Sequence, residues 1–237
     1  MQRLPLLAFA ATAVLLASCS RSNDTGNQAT ANAGNAANSA PAANAAPASP
    51  ADRLLAAAEP FEALTETAFT DPPAKLDATI ALGRKAVGEV RSLLAPSTAA
   101  TIDSKLAEVD RFRADGNRAD LALSSIEIYR SLVSSVSGSP KVPVDVSLLD
   151  YAGFRFQADM RATPVRWNDM KQAASFARSR WSALSPKVSD KAVSAPFEAA
   201  LANMDKAVAN RDPKLAAESV AAELDQVDKL EAYFKAL

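Results

Sequence analysis

Apolar residues at helical spacing, cut into lengths by prolines, constrain this chain more than any other feature. Leu76, Ile80, Gly83, Val87, Val90 and Leu94 recur every three or four residues, and so do Trp167, Met170, Ala174, Ala177, Trp181 and Leu184. A period near 3.6 places each set on one helix face. Alternation of the strand type never lasts more than a few residues. Residues 51–237 therefore predict an all-α fold, a helical bundle of about seven or eight helices, within the size of one domain.

The breaks give the boundaries. Ser49-Pro50-Ala51-Asp52 reads as an N-cap, a proline in the first turn and an acid at the third position, opening a helix that runs to about Phe69. Pro60 lies inside it and is expected to kink or divide it. Pro96 stops the second helix, and Ser97 or Thr98 caps a third with Ile102, Leu106 and Val109 inward. Gly116-Asn117 ends the third and opens a fourth near 118–136, whose two apolar faces make it the most buried of the first half. Ser137-Gly138-Ser139-Pro140 is the best internal boundary, giving halves 51–138 and 141–237. A fifth helix covers about 145–162, and Thr163-Pro164 caps a sixth that Ser185-Pro186 ends. A seventh runs to about Ala209. Asp212-Pro213 opens the last, with Ala217, Val220, Leu224, Val227, Leu230 and Phe234 toward the core.

The halves also look alike at a spacing of about 90–95 residues. Leu54-Leu55 parallels Leu148-Leu149, Leu94-Ala95-Pro96 parallels Leu184-Ser185-Pro186, and Leu106, Val109-Asp110 parallel Leu201, Met204-Asp205. This reads either as a duplicated four-helix unit or as one irregular bundle.

Ahead of the bundle the chain changes character. Arg3 precedes an apolar run, Leu4 to Ala17, about 21 Å long as a helix and too short for a hydrocarbon core of about 30 Å. Residues 1–18 read as an export signal. From Ser20 to Pro50 the chain holds Ala, Asn, Ser, Thr, Gly and Pro with no large apolar residue, which predicts a disordered tether spanning roughly 30 Å.

Between signal and tether stands Leu16-Ala17-Ser18-Cys19, with the only cysteine of the chain. This tetrapeptide resembles the lipobox of bacterial lipoproteins. The resemblance implies cleavage before Cys19, a diacylglycerol on its sulfur and acylation of the new N-terminus, which together hold a protein stably on a membrane. It implies Ser20 as a residue that favours the outer membrane, facing the periplasm, over the inner membrane. The helical region is similar in kind to uncharacterised proteobacterial periplasmic helical lipoproteins, and the resemblance supplies no functional residues.

Composition excludes whole classes of chemistry. The chain has no histidine, which removes histidine triads, histidine-ligated metals and imidazole proton shuttles. Lipidation of Cys19 would occupy its only thiol. Seven glycines form no phosphate-binding loop motif. A net charge of −1 offers no basic face for nucleic acid. No cofactor is expected beyond the acyl groups on Cys19.

Two clusters remain as candidate sites. Asp150, Tyr151, Phe154, Arg155 and Asp159, with Trp167 nearby, concentrate aromatic and charged groups and form a candidate ligand groove. Their plain alternative is a packing seam edged by an Arg155–Asp159 pair. Glu218, Asp225 and Asp228 form an acidic stripe on the last helix and a candidate site for an oxygen-liganded divalent metal, or else a solvated face. The expectation is a non-catalytic envelope lipoprotein that binds a protein partner or small ligand. The alternatives are a carboxylate-based metal-binding protein and a carboxylate-dependent envelope hydrolase.

Overall fold

A computed structural model of the chain describes residues 48–237. The signal, Cys19 and nearly all of the tether lie outside the described residues. Those described are all-helical, and none of their helices is long and apolar enough to cross a membrane.

The eight helices are α1 (Pro50–Thr67), α2 (Pro73–Val90), α3 (Pro96–Ala114), α4 (Arg118–Val133), α5 (Val144–Arg161), α6 (Trp167–Leu184), α7 (Lys191–Asn210) and α8 (Pro213–Ala236). Short 3₁₀ turns follow α2 at Arg91–Leu93 and α6 at Ser185–Lys187. The caps explain the starts. The Ser49 hydroxyl accepts from the Asp52 backbone N–H at 3.1 Å while Asp52 accepts from the Ser49 N–H at 3.2 Å, a reciprocal capping box. Asn117 caps α4 and Asp212 caps α8 in the same sense. Gly116, at φ +68°, lets the chain reverse after α3, with the Asn117 N–H donating to the Phe112 carbonyl at 2.9 Å.

Three boundaries differ from expectation. Pro60 does not divide α1, which runs through it unbroken. The third helix starts at Pro96 with Ala95 as its cap, so Ser97 and Thr98 are already inside the first turn. Pro164 stands in the loop before α6, whose cap residue is Arg166.

The repeat is real at the level of elements. The starts of α1 and α5, of α2 and α6, and of the two 3₁₀ turns are each 94 residues apart. The starts of α3 and α7, and of α4 and α8, are 95 apart. Buried faces follow the same register: Leu76, Ile80, Gly83, Val87 and Val90 of α2 match Met170, Ala174, Ala177, Trp181 and Leu184 of α6. Leu184 thus corresponds to Val90, and the Leu94-Ala95-Pro96 likeness to Leu184-Ser185-Pro186 is four residues out of register. An ion pair is repeated too, Arg84–Asp110 between α2 and α3 and Arg178–Asp205 between α6 and α7.

Neighbours repeat with the elements. In the first half α1 packs on α2 and α4, and α4 on α3; in the second, α5 packs on α6 and α8, and α8 on α7. The halves meet where α4 lies along α5. Leu148, Tyr151, Phe154 and Ala158 of α5 join the first apolar core, while Val146, Leu149, Ala152 and Phe156 join the second. Helix α5 is therefore the shared wall. Its two apolar faces, like those of α4, explain why each carries ten buried residues.

Candidate functional site

The two halves together build a concave site of about 360 Å³, in the range of small-molecule pockets. Helix α1 brings Asp52, Leu55, Glu59 and Glu62, and α4 brings Tyr129 and Val133. The α4–α5 loop brings Pro140, Lys141 and Val142, α5 brings Ser147 and Asp150, and α8 brings Val227, Asp228, Glu231 and Lys235. The spacing within each helix accounts for the set. Glu59 and Glu62 lie one turn apart, as do Ser147 and Asp150, and as do Val227, Asp228 and Glu231.

Six carboxylates face two amines in this pocket, and one amine is already engaged: Lys235 donates to Glu231 at 2.7 Å. The crowding shows in their acidities. Glu62 is pushed up to about 7, first by burial and then by Glu231, Glu59, Glu66 and Asp228. Asp150 is driven well above the carboxylate range by burial, then by Glu62, Glu223, Asp228 and Glu231. Burial pushes the Tyr129 phenol up as well, followed by the charges of Asp150 and Glu62.

Behind this floor lies Glu223. It is 0% exposed, and neither carboxyl oxygen has a hydrogen-bond partner. Burial alone drives it far up. It occupies space that only a glycine leaves open: a Cβ on Gly153 would stand 2.1 Å from Glu223 Oε2 and 2.7 Å from Leu224 Cδ2. Gly153 is one turn beyond Asp150 on α5, and Glu223 is one turn before Val227 on α8, so the pair lies about a turn from the pocket, near enough for Glu223 to oppose the charge of Asp150.

No protein-family model, curated protein or solved structure matches this chain. Its site is read from its own geometry.

Of the expected groove only Asp150 reaches this pocket. Tyr151, its neighbour in sequence, points toward α4 and is fully buried. Its hydroxyl donates to Glu127 at 2.7 Å and accepts from Arg155 at 2.9 Å, and its ring meets Phe176 edge-on at 5.3 Å. Phe154 is packed in the first core. Asp159 is 1% exposed between Arg155 and Arg166, each 3.9 Å away, and is raised to about 7, chiefly by burial. Trp167 lies elsewhere, half-buried beside Lys171, Val208 and Arg211. These residues form a polar seam between the halves and a separate surface groove, not one binding groove.

The acidic stripe is dispersed as well. Glu218 pairs with Lys214 at 3.9 Å and Asp225 with Lys229 at 2.7 Å, each along α8. Only Asp228 faces the pocket. Among the described residues no three Asp, Glu, Cys or His side chains are placed to hold a metal ion.

The decisive residues that sequence reasoning passes over are Glu62 and Glu223. Glu62 sits in a helix with several exposed acids. Glu223 was hidden by Leu224, which fits the apolar phase of α8 equally well; the internal register is the signal that finds it, because it sets Glu223 on Ile128.

Proposed function

We propose that this chain is a lipid-anchored, non-catalytic binding module of a bacterial cell envelope, whose ligand site is the acidic pocket between its halves. The single observation that carries the binding reading is that pocket, built by α1, α4, α5 and α8 from both repeats. The lipobox-like Leu16-Ala17-Ser18-Cys19 supports the anchor, and Ser20 supports an outer-membrane address facing the periplasm.

A hydrolase using paired acids is less well supported. Acid–base pairs work when their surroundings push two acidities apart. Here Glu62 and Asp150 are both driven upward. A divalent-metal protein is less well supported because the acids ring a roomy cavity instead of converging on one point.

Native mass spectrometry of the lipidated protein, released from envelopes in mild detergent, tests this reading. A small-molecule adduct is expected on the wild type and not on Ser147→Phe, which plugs the pocket. An adduct that survives the plug would place binding elsewhere and overturn the proposal. For the anchor, Cys19→Ser is expected to release the protein into the soluble periplasmic fraction.

A further inference from the structure

We infer that the pocket takes an amine-bearing organic cation of a few heavy atoms and releases protons as it does so, with Asp150 as its counter-ion and Glu223 behind it. This rests on the pocket being the binding site.

The charged groups facing the cavity set the class of ligand. Helix α1 presents Asp52, Glu59 and Glu62, α5 presents Asp150, and α8 presents Asp228, Glu231 and Lys235 with Glu223 about a turn away. Helix α4 presents the Tyr129 phenol, and the α4–α5 loop presents Lys141. Lys235 is taken by Glu231, and Asp52 is partly taken by the Ser49 cap. The rest is a surplus of negative charge with room at its centre. An anion would meet the acids of α1, α5 and α8. A bare metal ion would lack three converging ligands. A cavity of about 360 Å³ with Leu55, Val133, Val142 and Val227 in its walls fits a molecule with both an apolar body and a cationic head.

Glu223 is the independent sign. A fully buried carboxyl with no partner for either oxygen has an unmet electrostatic need. Without a nearby cation it holds a proton. The same holds for Asp150, which Glu62, Glu223, Asp228 and Glu231 all oppose. A cation arriving at Asp150 supplies the missing positive charge, so Asp150 ionises and its proton passes to solvent. Charge is conserved at the site: one ammonium enters and one proton leaves. Glu223 then feels a cation a turn away and loses part of its own reason to stay protonated.

Titration calorimetry of the full mature chain in detergent tests this, with 1,4-diaminobutane as the probe and magnesium ion and glutarate as controls. Affinity for the diamine is expected to tighten by up to about a hundredfold between pH 6 and pH 8, the effect of one proton displaced throughout that range. The observed heat is expected to differ between phosphate and TES buffers by that proton's ionisation heat. Asp150→Asn is expected to weaken binding at least tenfold at pH 8 and to flatten the pH dependence. Glu62→Gln, half-buried at the rim, serves if Asp150→Asn fails to fold, and is expected to lower the proton count with binding retained. Diamine binding in the pocket with no pH dependence would overturn the exchange and leave the binding reading standing. Magnesium or glutarate binding in place of the diamine would overturn the ligand class. Diamine binding unaffected by Asp150→Asn or by the Ser147→Phe plug, or a proton count unchanged in Glu62→Gln, would overturn both.

Discussion

At matching positions of the two halves, Thr65 of α1 stands where Asp159 stands in α5, and Ile128 of α4 stands where Glu223 stands in α8. All four are buried. In the first half they are satisfied in ordinary ways: the Thr65 hydroxyl donates to the Phe61 carbonyl at 2.8 Å, and Ile128 lies in the apolar core. In the second half both are acids that burial drives upward. One scaffold is thus used twice, once for a plain core and once with ionisable groups placed inside it. Removing a partnerless acid should help folding, so its presence points to a role other than stability.

The most damaging way to break the comparison is to give the first half the second half's acid. Ile128→Glu buries a carboxyl with no partner and is expected to cost about 3–5 kcal/mol in urea unfolding. The reverse change, Glu223→Ile, is expected to stabilise by about 1–3 kcal/mol while weakening proton release from the pocket. A loss of stability in Glu223→Ile would mean that the acid is held by interactions the geometry does not contain.

Phe197→Ala probes whether the halves are independent. Phe197 is fully buried and its ring lies 4.6 Å from that of Trp181, so its loss is expected to cost about 3–5 kcal/mol. Because α5 belongs to both cores, the whole domain is expected to melt in one transition at a lower temperature. Two transitions, with only one shifted, would show that α5 fails to couple them.

Titration tests both halves at once, through Glu62 of the first and Asp159 of the second. Glu62 and Asp159 rise from ordinary values of 4.5 and 3.8 to about 7 in the folded chain. Between those limits the folded chain holds protons that the unfolded chain has released. The stability these two groups contribute is therefore fully present below about pH 4, where both states are protonated at them, and is lost as pH rises toward 7. Urea midpoints are expected to be lower at pH 8 than at pH 5, with Asp159→Asn removing part of the slope. Thr65→Val should leave that slope unchanged, since its half supplies no such acid at this position. A midpoint that climbs toward pH 8 would contradict the assignment.

Much of this scaffold is legible in the sequence, and for physical reasons. The stripes of α2 and α6 are carried by local spacing, and the capping box at Ser49 is a contiguous motif. Helix α3 starts earlier than its hydroxyls suggest, because Pro96 itself serves in the first turn. In α8, Ala216 faces the core in place of Ala217, and Glu223 lies deeper than Leu224. Single-residue phase is hard to read where small and large apolar residues adjoin. The pocket was illegible for a different reason. Glu62, Asp150 and Asp228 come from three helices far apart in the chain, and only tertiary packing makes them neighbours. Asp150 alone of the expected groove reaches the pocket; Tyr151, Arg155 and Asp159 turn to the polar seam between the halves.

The smallest expected effect concerns how each half closes its outer pair of helices. In the second half α6 packs closely on α7, and one ion pair, Arg178–Asp205, spans them. In the first half α2 and α3 do not pack closely, and three arginines bridge the gap: Arg84 to Asp110, Arg91 to Asp103 at 2.6 Å and Arg113 to Asp77 at 2.8 Å. Arg84 and Asp110 are well exposed, so their pair is expected to contribute only about 0.2–1 kcal/mol in a double-mutant cycle. The three arginines bridge two helices whose backbones stand further apart than those of α6 and α7. Coupling at Arg84–Asp110 should therefore shrink in 0.5 M salt, and hydrogen exchange of the α2–α3 pair should rise with it, while the α6–α7 pair stays protected by packing. Equal salt-dependence in both pairs would show that apolar packing at α6–α7 contributes no more than the arginines do.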